Sequence, residues 1–520
     1  MKNNLYKYIE EHSINNPEKI AINFEQTTIN YLQLFNRIEL LASYISINLK
    51  CKKGDRIAIL SLNRIEFITL FYACSKLGTI LVPINWRLTK YEITNILKNV
   101  TAKLLFTELE FKNTISELYI NIPKLRIIGI DFVPQTKLSL KNSIKINKNS
   151  EVKKIISDFN HPILIVHTSG TTGQAKGAVL SQKAVYYNIL NSIHMHKLEK
   201  SDHILTVIPL FHVGGLNIQT IPAIHIGATV TLHRKFDLKE TFKALKLLKP
   251  TFTVFVPTIM EAILNFKDWS PLKFSSLKAI TTGSTIIAPD LIKTYEENNI
   301  PIIQVYGSTE TGPIAVCQNL SEKRKPYGNS GTPALYTKAE IFNNKNEMVK
   351  KNIIGEIGIR GPNLFSYYWK DKKETKKAFI NGWFMTGDYA KKNEKNQFFI
   401  AGRKENIIIS GGENIYSAEL EQVFLKEKNI EEAAVIGIPD KKWQEIPIVF
   451  VKTKKQFKLN EYLINNNLKT KLAKYKIPRI LIKIDEIPKN ALGKIDYKLL
   501  RDYYNDLKSR KKLKKTSNVI

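Results

Sequence analysis

The segment His167 to Gly177 reads HTSGTTGQAKG and follows the apolar run ILIV. Its hydroxyls, free backbone N–H groups and the point charge of Lys176 are what a loop needs to wrap a polyphosphate. An ordinary Gly/Ser/Thr turn is the competing reading, and the unbroken run of such residues after a strand argues against it. A Walker-type loop would need Gly before the lysine and Ser or Thr after it; Ala175 and Gly177 stand there, so a different class of nucleotide site is implied. Tyr306 to Glu310 reads YGSTE after the run IIQV. A carboxylate beside a triphosphate is repelled unless a cation lies between them, so Glu310 makes chemical sense there only with a metal ion. Read alone, YGSTE suits a surface turn equally well. The triplet TGD (Thr386 to Asp388) says little by itself, and PKNALGKID (Pro488 to Asp496) would ordinarily be a bland turn with a solvated lysine.

In this order the four segments resemble the adenylate-forming superfamily, which holds acyl- and aryl-CoA synthetases, peptide-synthetase adenylation domains and luciferases. The likeness runs from about Thr28 to Arg501. It implies that Thr168, Ser169, Gly170, Thr171, Thr172, Gly173 and Lys176 cradle the β- and γ-phosphates of ATP, and that Gly283, Ser284 and Thr285 flank the adenine. Tyr306 would stack on adenine beside Gly307, Thr309 would contact the α-phosphate, and Glu310 would hold Mg2+. Asp388 would accept the ribose hydroxyls with Arg403 assisting. Lys494 would bridge the substrate carboxylate and the α-phosphate, where a fixed cation lowers the barrier as charge shifts.

The resemblance also implies a second half-reaction, in which a C-terminal module turns about a hinge near residue 406 and presents coenzyme A. Relatives often carry Asp at that hinge, and this chain has Asn406. Gly411 and Gly412 would lie beside the pantetheine arm. In the acid pocket His212 resembles a gate residue, and Val213 and Gly214 leave apolar room for an uncharged chain. Amino-acid-activating relatives carry Asp in this region, which argues against an amino-acid substrate. The reading is ATP-dependent conversion of a carboxylic acid to acyl-AMP and then to acyl-CoA, with a medium- or long-chain fatty acid as the expected substrate. The alternatives are an aryl-type acid (cinnamate-like or o-succinylbenzoate-like) and, from another class, a non-catalytic nucleotide- or acyl-binding protein.

Positioning these turns requires α/β layering: short Ile/Val runs (Ile57 to Leu60, Ile163 to Val166, Thr229 to Leu232, Thr253 to Val256, Ile302 to Val305) alternate with longer amphipathic segments. Ligands in open α/β sheets gather at the carboxyl ends of strands, where the candidate turns fall. After about residue 400 the units shorten. Ser417 precedes the helical pattern AELEQVFLKE, strand-like runs follow at Ala433 to Ile438, Ile446 to Val451 and Ile480 to Ile484, and a helical stretch spans Glu461 to Ala473. The expected architecture is α/β, with a large multi-layered N-terminal domain (residues 1–403) of sheets and helices and a small mobile α+β C-terminal domain (residues 404–520) hinged at 404–406.

At 520 residues the chain exceeds one ordinary core. Its net charge of +32 would attract anions, but lysine is spread throughout, so no nucleic-acid face is inferred. The tail does concentrate basic residues (Lys508, Arg510, Lys511, Lys512, Lys514, Lys515), which is compatible with peripheral contact at the inner face of a membrane. Three cysteines without a CxxC pair suggest neither a disulfide framework nor a zinc site, and no export segment is read at the N-terminus. A cytoplasmic enzyme taking a carboxylic acid, ATP and coenzyme A is expected, with an oligomer compatible with the sequence.

Overall fold

In the computed structural model the described residues are 4–135, 137–140, 157–168, 176–283, 287, 289–321, 328–410, 413–427, 429–440, 443–454, 468, 472, 476–490 and 493–509. Apart from Leu468 and Leu472, the expected helix Glu461 to Ala473 lies outside them, as does the basic tail beyond Ser509.

The Ile/Val runs form strands because β-branched side chains pack well on a pleated surface. Arg56–Leu60, Pro162–Thr168, Thr229–Leu232 and Ile302–Tyr306 fall where the sequence places them. The run Thr253 to Val256 is displaced: its strand is Phe252–Val254, because Val256 caps a helix that opens at Pro257. Among the described residues the strands form four sheets. A nine-stranded sheet runs Thr332–Pro333, Val316–Cys317, Ile302–Tyr306, Ala279–Gly283, Phe252–Val254, His203–Thr206, Thr229–Leu232, Ile20–Phe24, Thr27–Asn30. The neighbours from Ala279–Gly283 and Ile302–Tyr306 through to Ile20–Phe24 pair in parallel. A seven-stranded sheet runs Tyr367–Tyr368, Lys176–Ser181, Pro162–Thr168, Ile80–Pro83, Arg56–Leu60, Leu104–Thr107, Arg126–Gly129. Helices cover both sheets, and the apolar stretch Ile68 to Ile84 becomes the buried helix Ile65–Leu77 followed by the strand Ile80–Pro83. No helix among the described residues is long and apolar enough to cross a membrane.

A third sheet carries Lys338–Phe342, Ile354–Arg360, Trp383–Lys392 and Phe379–Ile380, with Phe398–Arg403 paired to Trp383–Lys392. The fourth holds Glu413–Tyr416, Ile407–Ser410, Gln444–Thr453 and Ile430–Asp440, with Ile480–Lys483 parallel to Gln444–Thr453. Its two faces bury separate apolar clusters, one around Phe424 and Leu420, the other around Phe450, Leu500 and Tyr504. The fold is therefore mixed α/β with a large N-terminal and a small C-terminal part. Cys51, Cys74 and Cys317 are buried and form no disulfide, and burial pushes the Cys51 thiol up to about 11 and Cys74 to about 12.

Caps fix where helices begin. Ser181 leaves its strand and accepts from the Ala184 N–H, starting the helix Gln182–His196 that backs the site. Ile303 is fully buried in the strand that delivers Tyr306. Ile303→Ala should lower stability by about 2–5 kcal/mol through the cavity it leaves. The check is the shift in the denaturant midpoint.

Candidate functional site

Tyr306 ends a parallel strand of the nine-stranded sheet, and the chain must turn sharply to deliver the residues after it. Gly307 makes that turn: a Cβ there would lie 1.7 Å from the Pro313 carbonyl oxygen. The Ser308 N–H donates to Thr311 Oγ1 at 2.9 Å, closing a short turn over Thr309–Thr311. Buried amides hold the loop from behind. Asn363 donates to the Thr311 carbonyl at 2.7 Å, Asn217 to that of Gly312 at 3.0 Å, and the Ile314 N–H donates to Asn188 at 3.0 Å. Thr309 and Glu310 are thus presented on a rigid support.

Asp388 and Arg403 face each other because their strands pair antiparallel with these two residues in register. Arg403 Nε reaches Asp388 Oδ1 at 2.8 Å, and the Tyr306 hydroxyl donates to Asp388 Oδ2 at 2.8 Å. Burial raises the Asp388 carboxyl above its ordinary value, opposed by Arg403 and Tyr306, while burial and Asp388 push the Tyr306 hydroxyl well up. Three segments remote in sequence therefore meet at one carboxylate. Glu310 is almost fully buried and accepts from the Tyr368 hydroxyl at 2.9 Å.

Lys494 sits in the turn between Pro488 and Asp496. The Asn490 N–H donates to the Lys494 carbonyl at 2.8 Å, the Lys494 N–H donates to Asn490 Oδ1 at 3.2 Å, and Gly493 takes the left-handed conformation at φ +75°. Burial lowers its pKa, Arg403 adds to the lowering, and Asp388 and Glu310 oppose it. His212 is pushed down to about 3 by burial and then by Lys494 and Arg87, so it is neutral at pH 7. The structure thus brings Tyr306, Glu310, Asp388, Arg403, Lys494 and His212 into one electrostatic neighbourhood, with Thr309 next to Glu310 in the chain.

The His212 segment is itself fastened. Asn63 donates to the carbonyls of Ile208 and His233, each at 3.0 Å, and accepts from the Leu210 N–H at 2.8 Å. Val213 is buried, and a Cβ on Gly214 would meet the side chains of Ile208 and Ile218 at 3.9 and 4.0 Å, ordinary apolar contact. At Gly283 a Cβ would strike the Val305 carbonyl oxygen at 2.3 Å, so only glycine fits this close strand contact. Thr168 ends its strand with its hydroxyl 3.4 Å from the Lys176 carbonyl oxygen. Lys176 pairs with Glu374 at 2.5 Å and lies over the Tyr368 ring. Asn406 closes a short 3-10 turn between the third sheet and the fourth. Ser169, Gly170, Thr171, Thr172, Gly173, Ser284, Thr285, Gly411 and Gly412 lie outside the described residues. Asn63, Tyr368 and Glu374 were not legible in the sequence, since their partners lie far along the chain and no motif marks them.

Residues 9–369 match the AMP-binding enzyme family, and residues 419–494 match the AMP-binding enzyme C-terminal domain. The chain is 36% identical to an indoleacetate–CoA ligase of Aromatoleum aromaticum over 491 residues, covering 94% of this chain and 96% of the relative. It is 29% identical to a feruloyl-CoA synthase of an Amycolatopsis species over 479 residues, 92% of this chain and 94% of the relative. The o-succinylbenzoate CoA synthetase of Bacillus subtilis, solved with its acyl-adenylate intermediate, superposes with a TM-score of 0.83 at 27% identity, covering 95% of this chain and 98% of that one. With family matches over residues 9–369 and 419–494, this chain belongs to the AMP-binding enzyme family of AMP-forming acid–CoA ligases.

Proposed function

We propose that the protein activates an aryl-type carboxylic acid as its acyl-adenylate and transfers the acyl group to coenzyme A. The observation that carries the reaction class is the meeting of Asp388, Arg403 and Tyr306 beside Glu310 and Lys494. The relatives' names favour the aryl alternative over the fatty acyl chain expected from the sequence, and the apolar side chains of Ile208 and Ile218 against Gly214 suit an uncharged acid.

In the first half-reaction a carboxylate oxygen attacks the α-phosphorus of ATP. The new P–O bond forms as the bond to the β-phosphate bridge breaks, and pyrophosphate leaves. Asp388 accepts the ribose hydroxyls, Tyr306 lies against adenine beside Gly307 and Gly283, and Thr309 meets the α-phosphate. The loop residues Thr168 to Gly173 and Lys176 take the outer phosphates, so Lys176 must exchange Glu374 for phosphate. Lys494 lies between the two anions, neutralising charge as it moves to the bridging oxygen. Glu310 suits Mg2+ by its chemistry: a hard oxygen donor with one hydroxyl partner, and among the described residues no cluster of His, Cys, Asp or Glu that could form a protein-only cage. Such an ion, bound through a carboxylate and substrate phosphates, would supply charge neutralisation. In the second half-reaction the thiolate sulfur of coenzyme A attacks the acyl carbon and AMP leaves. Residues 404–520 turn about Asn406, withdrawing Lys494, with Gly411 and Gly412 beside the pantetheine arm and neutral His212 gating the acid pocket.

With ATP, Mg2+ and coenzyme A, a panel of indole-acetate-like, cinnamate-like and fatty acids should yield AMP and acyl-CoA preferentially with the aryl acids. Product only from fatty acids overturns the substrate class, and no thioester with any acid overturns the second step. Lys494→Ala should slow adenylation by about 100-fold or more. Thioester formation from supplied acyl-adenylate should survive, and an equal fall in both steps would refute the role given to Lys494. Asp388→Ala should weaken ATP binding by about 10- to 100-fold in calorimetry. Because Lys494 acts protonated and burial lowers its pKa, kcat/KM for adenylation should decline as pH rises through a value below ~10.4, the ordinary lysine pKa. That alkaline limb should be missing from the residual activity of Lys494→Ala.

A further inference from the structure

The turn that carries Lys494 is shaped by its own bonds, but these do not aim it. Asn490 N–H donates to the Lys494 carbonyl at 2.8 Å, Gly493 N–H to that of Asn490 at 2.9 Å, and Asp496 N–H to that of Pro488 at 2.9 Å. All of them lie within the turn. Its direction relative to the rest of the C-terminal part must come from what holds its two feet.

One foot is an ion pair near the surface: Lys489 meets Glu432 at 2.5 Å, and Glu432 also meets Lys452 at 3.2 Å. Such partly exposed pairs are weak and adjustable. The other foot is of a different kind. Tyr497, three residues after Lys494, opens the helix Tyr497–Ser509 and donates its hydroxyl to Glu421 Oε1 at 2.9 Å. Glu421 lies on the helix Ser417–Leu425 and is buried, and the same oxygen accepts the N–H of Val435 at 2.9 Å from the strand Ile430–Asp440. Ser417 also bonds the Tyr497 hydroxyl. One carboxylate therefore joins a helix, a strand and the exit of the Lys494 turn. Burial pushes the Glu421 carboxyl up to about 7, so holding it there works against its ionisation. Among the described residues no cation pairs with Glu421, and a carboxyl so buried is a costly way to glue elements together, since an apolar residue would pack more cheaply. What it supplies instead is direction, fixed by a hydrogen bond from a rigid ring.

We propose that the Glu421–Tyr497 hydrogen bond is the positioning device that aims Lys494 at the nucleotide site, making Glu421 and Tyr497 positioning residues for acyl-adenylate formation. The inference rests on the reading that Lys494 serves that half-reaction. Because all these groups lie in the C-terminal part, the anchor travels with it and is not needed for thioester formation.

Tyr497→Phe removes one hydroxyl and leaves the ring, so the fold is kept by Leu500 and Tyr504 of the same helix, both buried. In the full-length protein, acid-dependent exchange of labelled pyrophosphate into ATP should fall about 10- to 100-fold in kcat, the scale on which small misplacement acts. Thioester formation from supplied acyl-adenylate and coenzyme A should stay at the wild-type rate. The deciding arm is a double-mutant cycle: in a Lys494→Ala background, Tyr497→Phe should have no further effect on exchange. If exchange by Tyr497→Phe is unchanged while Lys494→Ala abolishes it, the anchor is wrong and the role of Lys494 stands. An equal fall with and without Lys494, or loss of both half-reactions together, reveals a general packing effect and also overturns the anchor. If Lys494→Ala itself exchanges normally, the underlying reading fails and takes the inference with it.

Discussion

A carboxylate and a triphosphate must be pressed together, and two unit charges 4 Å apart repel by about 4 kcal/mol near a protein surface. The rest of the site answers to that constraint. It also contains acidic groups of its own, Glu310 and Asp388, so cations are the scarce resource. Without substrate those cations are already engaged: Arg403 with Asp388 and Lys176 with Glu374. Binding ATP is then an exchange of partners rather than a simple gain of charge pairs, which spares the protein from burying naked positive charge. Lys494 is the cation delivered from elsewhere, and its partial burial and lowered pKa reflect how tightly the site closes around it.

The scaffold serves this arrangement by placing rigid turns at strand ends. Gly307 lets the backbone fold against Pro313, and buried asparagines tie down the loop that follows. The antiparallel register of Trp383–Lys392 with Phe398–Arg403 sets Arg403 opposite Asp388 without any loop at all. Sites built on regular elements hold their geometry more closely than sites built on loops.

Much of this was readable in advance for a physical reason. β-branched runs announce strands and glycine with hydroxyl residues announces turns, whereas Tyr306, Asp388 and Lys494 are singled out by the likeness of four motifs, in order, to a known family, since TGD and PKNALGKID say little alone. Tyr368, Glu374, Asn63, Glu421 and Tyr497 could not be assigned roles that way, because each acts through a partner 58 or more positions distant, as in the Tyr368–Glu310 bond across 58 residues, the Asn63 bonds across 147 and 170 and the Glu421–Tyr497 bond across 76. The strand at Thr253 was placed too far along because Pro257 starts a helix there, a local signal that apolar periodicity outweighed. The acid itself was the least legible feature. Val213 and Gly214 signal apolar room, and apolar room accepts an alkyl chain or a ring; the difference is shape, which composition does not encode.

The central claim is that these groups let two anions join, and it is tested most directly by isotope exchange without coenzyme A. Purified protein with Mg2+, ATP, labelled pyrophosphate and an aryl acid should move label into ATP only when the acid is present. Failure to exchange with aryl and fatty acids alike would contradict the account at its root.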